Sequence, residues 1–244
     1  MKIAIQLYGL RDRIRSGGEL LAILPRVKAL GFDGVEFAGC FGLDAAVLRA
    51  ALEQNGLVPV GAHVGLDELR PESLAQTLAF YKAAGLTRVG VGGAPHGSAA
   101  ELAETCAVLK AAAGRAAEEG LTVYFHNHET EFMPIEDGTL PIDALAQACM
   151  LQVDTYWSFV AGRNNEELLP AYRNRICSVH IKDGVGQKTM ALGEGDCDLD
   201  AVLRGAAAIG LGWLILENDD PEPDGLSDAA RSMEWLRAKL ALSI

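Results

Sequence analysis

The chain is short of positive charge. It carries 21 Lys and Arg against 33 Asp and Glu, a net charge of −12. Nucleic-acid binding needs basic stripes that displace counterions from phosphates, and no Lys/Arg cluster lies along any face. Aromatic residues are sparse at 6%. Long hydrophobic runs are missing too: none approaches the ~18 apolar residues of a membrane span. The N-terminus, MKIAIQLYGLRDR, lacks a signal-peptide layout because its apolar stretch is short and charges follow at once. The five cysteines are scattered, odd in number and never in a C-x-x-C pair, which fits reduced thiols better than a disulfide framework. These absences predict a soluble, cytoplasmic protein that works on a small molecule rather than on nucleic acid or a membrane. A homo-oligomer is compatible with the sequence and not required by it.

Catalytic signatures are also missing. No Gly-x-Gly-x-x-Gly follows the first strand, so a dinucleotide domain has no support. Gly193-Glu194-Gly195 has too few glycines for a phosphate loop and no following lysine. G-x-S-x-G and a Ser-His-Asp spacing are absent.

What is there is a regular alternation. Half of the residues are hydrophobic. Short apolar runs over 2–8, 34–37, 57–63, 88–91, 121–126, 150–154, 176–181 and 213–217 read as strands. Helical segments follow each, over about 18–30, 44–55, 71–84, 98–119, 140–148, 165–173, 198–208 and 226–241. Several helices stop at a glycine (Gly31, Gly56, Gly85, Gly120) just before the next strand. A weak repeat marks these junctions, as in AAGLTRVGV and AEEGLTVYF. Eight such units in 244 residues predict a single-domain α/β fold, a (β/α)₈ TIM barrel over 1–244. An open doubly wound sheet is the runner-up.

In such a barrel the C-terminal strand ends meet on one face. There the chain has His126-Asn127-His128, Asp154, His180-Ile181-Lys182-Asp183 and Glu217. Two imidazoles and two carboxylates make a divalent-metal site, with His126, Asp154, His180 and Glu217 as ligands and Mn²⁺, Mg²⁺, Co²⁺ or Zn²⁺ as the cation. His128 competes with His126 for the first position, and Glu131 could bend back to the metal or act as a base. Four protein ligands leave room for a sugar carbonyl and its neighbouring hydroxyl, easing loss of the adjacent C–H proton as an enediolate forms. Lys182 can neutralise charge or donate a proton, with Asp183 holding it or opening the turn. Glu36 and His63, at the ends of strands two and three, are expected to point over the pocket and bind hydroxyls. Trp157 offers an apolar wall.

The segments FHNHETEF, LQVDTYW, VHIKDG, ALGEGDCDLD and ILENDD resemble the sugar phosphate isomerase/epimerase superfamily, the xylose-isomerase-like barrels, and within it the branch with H-N-H-x-x-E-F on strand five. The resemblance runs from GFDGVEF to ILEND. It implies a divalent metal held from strands five to eight, with Asp154, His180 and Glu217 matching directly. Many relatives have a glutamate where this chain has His126. In the ketose epimerases two metal-bound glutamates form the acid/base pair, and here only Glu217 remains. Either Glu131 supplies the second group or one base works with His128 or Lys182. The resemblance therefore implies an isomerase or epimerase acting on a small sugar, sugar phosphate or polyol. A keto-sugar or inosose dehydratase needing one base is the alternative, and a non-catalytic sugar-binding barrel a lesser one. Abasic-site endonucleases share the barrel, but they use more metal ligands and a basic face.

Overall fold

The computed structural model describes residues 1–241. Eight parallel strands close into a barrel: β1 (Lys2–Gln6), β2 (Gly34–Ala38), β3 (Val58–Val64), β4 (Arg88–Val91), β5 (Thr122–His126), β6 (Met150–Asp154), β7 (Ile176–Ile181) and β10 (Trp213–Leu216). Neighbours in sequence are neighbours in space, and β1 closes the ring by pairing β10, with Lys2 opposite Trp213 and Ile5 opposite Leu216. The fold is the expected (β/α)₈ barrel. The helices α1 (Gly17–Leu30), α2 (Ala45–Asn55), α3 (Pro71–Ala83), α4 (Ala99–Glu118), α5 (Pro141–Ala148), α7 (Asn165–Ala171), α8 (Leu199–Ala208) and α9 (Gly225–Ala241) form the outer ring. No described helix is long and apolar enough to cross a membrane.

The main core lies between strands and helices, where Leu24, Val27, Phe32, Val35, Leu109, Val179 and Leu214 are buried. Each such side chain contributes about 1.5–3 kcal/mol by leaving water. A smaller cluster of Ala4, Val60 and Ile215 stands apart from it. Ala4 lies two residues before Gln6, on the same face of β1. Along that face an apolar layer therefore gives way to a polar one toward the C-terminal rim.

Three segments differ from the sequence reading. The first strand stops at Gln6, and Leu7–Leu10 turn in a 3₁₀ helix because the Gln6 side-chain oxygen accepts the Tyr8 N–H and breaks the extended run. A short helix, α6 (Thr155–Val160), leaves β6 at once. The seventh loop is a hairpin, β8 (Asp183–Val185) with β9 (Lys188–Met190), where the sequence suggests plain loop. Runs of three residues are too short to leave a periodic signal. The other elements fall within a few residues of the reading.

Candidate active site

Two layers of side chains fill the barrel beneath its C-terminal rim. The lower one is centred on Glu36, which is fully buried. Its Oε2 accepts from Gln6 Nε2 at 2.9 Å and contacts His180 Nε2 at 2.5 Å. Its Oε1 accepts from the Tyr124 hydroxyl at 2.6 Å and from Gln152 Nε2 at 2.7 Å. Gln152 also donates to the Ser178 hydroxyl at 3.1 Å, and its own oxygen lies 2.6 Å from His63 Nε2. Burial opposes ionisation of Glu36, but the charges of His180 and His63 and these hydrogen bonds outweigh it and hold its carboxyl down at about 2. Gly90 makes the space: a Cβ there would fall 2.2 Å from the Tyr124 ring.

Glu36 was expected over the pocket as a hydroxyl binder, and the structure corrects this. It is the third residue of β2, two before the strand end, so it sits one pleat below the rim. Ala38 occupies the rim level instead and lines the cavity.

The upper layer comes from β5, β6, β7 and the residue after β10. One donor atom each from His126, Asp154, His180 and Glu217 lies within 4.8 Å of the others, and all four residues are buried. These are the four residues named as ligands from the sequence. His63 forms a second group within the same reach with His126 and His180, so one further imidazole borders the cluster. His180 Nδ1 lies 2.9 Å from Glu217 Oε2. Burial pulls the His180 pKa down, but Glu217 and Glu36 on either side push it up to about 10. For His126, burial and the nearby His180 lower the pKa well below the usual imidazole range, so it is neutral with a lone pair to give.

Lys182 is 1% exposed, and its ammonium lies among three carboxylates: Glu217 at 2.7 Å, Asp219 at 2.8 Å and Asp154 at 3.0 Å. Burial opposes its charge, but these acids outweigh burial and raise its pKa well above the usual value. Glu217 gains in return. Against the cost of burial, Lys182 and His180 hold its carboxyl well below the carboxylate range, leaving it ionised. Asp183 does not hold Lys182. Its oxygens accept the backbone N–H groups of Gly184, Gly193, Gly195 and Cys197 instead.

Two atoms of the upper layer, His126 Nδ1 and Asp154 Oδ2, are buried and have no hydrogen-bond partner. Lys182 stands 3.0 Å from Asp154 Oδ2 without the angle of a hydrogen bond. Buried polar atoms are seldom left so, because each orphan costs about 1–3 kcal/mol. An imidazole nitrogen and a carboxylate oxygen left without hydrogen bonds on members of a His/Asp/Glu cluster are what a divalent cation would satisfy, and the donor chemistry fits one. His180 Nε2 faces Glu36, the kind of carboxylate contact that fixes the orientation of an imidazole.

Above the cluster opens a cavity of about 670 Å³ lined by Tyr8, Ala38, His63, Val64, Gly92, Gly93, His126, His128, Trp157, Glu217 and Asp219. His63, His128 and Trp157 all line this cavity. Trp157 is in α6, whose first turn Asp154 caps by accepting the N–H groups of Tyr156 and Trp157. Glu131, considered as a second base or ligand, is not brought to the cluster. It is buried in a 3₁₀ turn, accepts the His128 backbone N–H at 2.8 Å, and has His96 Nε2 3.6 Å from its other oxygen. Its Oε2 ties the loop at His128, while its Oε1 is buried without a hydrogen bond.

The sequence reading missed Asn127, Tyr124, Gln152 and Asp219. Asn127 is fully buried, and its oxygen accepts the Asp154 N–H at 3.0 Å, tying β5 to β6 at the level of the ligands. A signal for two of the others was present. Tyr124 and Gln152 precede His126 and Asp154 by two residues, hence share their face.

The xylose isomerase-like TIM barrel family model matches residues 24–239. The chain belongs to this family. No curated protein sequence matches it. Among solved structures, a sugar phosphate isomerase/epimerase from Parabacteroides distasonis superposes with a TM-score of 0.83 at 18% identity, over 97% of this chain and 93% of that one. The 3-keto-D-glucoside 4-epimerase of E. coli gives 0.72 at 19% identity, over 98% and 99%. A probable 3-DHS dehydratase from Bacillus anthracis gives 0.75 at 14%, over 97% and 99%. At these identities the likeness is one of fold.

Proposed function

We propose that the protein is a metal-dependent isomerase or epimerase that moves a proton next to the carbonyl of a small sugar or polyol. The observation that carries this reading is a four-residue donor set at the floor of the cavity in which two buried atoms, His126 Nδ1 and Asp154 Oδ2, make no hydrogen bond, Asp154 Oδ2 having only the Lys182 ammonium at 3.0 Å. His126, Asp154, His180 and Glu217 would hold Mn²⁺, Mg²⁺, Co²⁺ or Zn²⁺, and a cation there polarises a carbonyl and stabilises negative charge on its oxygen. Glu217, ionised and facing the cavity, takes the proton. Lys182, 2.7 Å from Glu217, keeps that carboxylate charged and balances charge beside it. His128 and His63 also line the cavity and are suited to hold or donate a proton to a substrate hydroxyl. Trp157 gives the sugar ring a flat wall.

A second reading, dehydration of a keto-sugar, draws on one observation. Glu131 does not line the cavity, and of the two carboxylates in the donor set Glu217 is the one that does. A β-elimination needs one base, whereas epimerisation at one carbon wants acid/base groups on both faces.

The test is proton exchange. The metal-loaded protein, incubated with a panel of ketoses in D₂O, should wash out the C–H signal beside the carbonyl of at least one sugar. Metal-stripped protein should not. Saturable sugar binding without exchange in any member, with metal bound, would instead support the non-catalytic barrel.

A further inference from the structure

We propose that the ligand of this cavity is an unphosphorylated sugar, because the chain's own aspartates occupy the backbone cradles where a phosphate would sit. The inference rests on the reading of the site as a sugar-enolising centre. Barrels that bind phosphate commonly do so on the loops after the seventh and eighth strands, at backbone N–H groups and a helix N-terminus. Here each of those positions is filled. After β7, Asp183 Oδ2 accepts Gly193 N–H at 2.8 Å and Gly195 N–H at 3.0 Å, while its Oδ1 accepts Gly184 N–H at 2.9 Å and Cys197 N–H at 3.1 Å. That loop is a nest of amides converging on one anion, and the anion is internal. The fit is tight: a Cβ at Gly195 would lie 2.3 Å from Asp183 Oδ1. At the start of α8, Asp198 accepts Ala201 N–H at 2.9 Å. At the start of α9, Asp224 accepts the N–H groups of Leu226 and Ser227, both at 3.1 Å. Asp154 does the same for α6.

Side chains offer no replacement. Among the described residues that line the cavity there is no Arg or Lys, and two are acids, Glu217 and Asp219. The Lys182 ammonium is enclosed by three carboxylates. Lys188 pairs with Glu222 at 2.9 Å. Arg11 lies over the Tyr8 ring, 4.3 Å from its centroid, and donates to the Tyr8 and Asp219 carbonyls outside the cavity lining. A phosphate dianion entering here meets like charge and no fork of donors, whereas sugar hydroxyls find acceptors in Asp219 and His128.

The experiment compares each neutral ketose with its phosphate ester in the exchange assay, D-fructose with fructose 6-phosphate and D-ribulose with ribulose 5-phosphate. In parallel, inorganic phosphate is titrated while the Trp157 indole N–H resonance is followed, assigned with Trp157→Phe. The expected result is a kcat/KM at least about tenfold higher for the free sugar, with the indole signal unmoved by about 10 mM phosphate. Equal or faster exchange into the esters overturns the proposal. If no sugar exchanges at all, the enolisation reading fails and the titration alone decides. An unmoved indole then upholds the lack of a phosphate receptor. A saturable shift below about 1 mM, abolished in Arg11→Ala, refutes it and names the receptor missed.

Discussion

The two polar layers of the barrel differ in one respect that matters. In the lower layer both oxygens of Glu36 are matched by donors from Gln6, Tyr124, Gln152 and His180. In the upper layer His126 Nδ1 and Asp154 Oδ2 make no hydrogen bond, and three carboxylates, Asp154 among them, share one ammonium. The lower layer is complete as protein. The upper layer leaves two buried atoms without a hydrogen bond. A fully satisfied buried network rigidifies its neighbours, while an unsatisfied one is stable only because its surroundings hold it there. The lower layer thus works as a foundation that aims His180 upward.

The sharpest way to break this contrast is at Glu217. Glu217→Gln keeps an oxygen near the cation but removes the base, so exchange should fall by about 10²–10⁴-fold. Retained exchange in that variant would move the base elsewhere. Next is the foundation itself. Glu36→Gln sets an amide N–H against the donors now converging on the carboxylate and frees His180 to turn, so metal affinity should drop by about 10–100-fold. Isothermal titration of the variant, with sugar binding by Trp157 fluorescence as a control, separates this from unfolding. A smaller effect is expected at Gly90→Ala, which drives a methyl into the Tyr124 ring and should cost about 1–3 kcal/mol in urea unfolding. If the cost is nil, the layer is less tightly built than its distances imply.

The smallest effect lies outside both layers, at Asp228, whose Oδ2 accepts from Asn218 Nδ2 at 2.8 Å. Burial pushes this carboxyl up to about 6, against the pull of Arg231 and Asn218. In the unfolded chain it returns to 3.8, so between those values the folded state binds the extra proton. The contribution of Asp228 to stability should therefore grow as pH falls from about 6 toward 4, so the stability difference between wild type and Asp228→Asn should shift in favour of wild type over that interval. Denaturant midpoints at the two pH values read it.

The barrel was legible in the sequence because each unit repeats a glycine stop and a doubly buried strand, as in AAGLTRVGV. The four-residue cluster was legible because each member ends an apolar run. The depth of a residue within its strand was harder to read. Glu36 and His63 look alike as strand-end polars, yet one is foundation and the other borders the cavity, a difference set by two residues of strand length. Glu131 was hard to place because a loop acid's partner is unknowable until the loop folds. Its partner is the backbone of His128, three residues away. Lys182 could be named but not paired, since Asp154, Glu217 and Asp219 meet it from three different elements.

The central claim, that the upper layer is a cation site, is tested most directly by Co²⁺ titration followed by visible absorption, wild type beside Asp154→Asn. The account predicts about one equivalent bound with ligand-field bands in the wild type, and at least about tenfold weaker binding in the variant. A wild-type protein that binds no Co²⁺, or a variant that binds it unchanged, would contradict it.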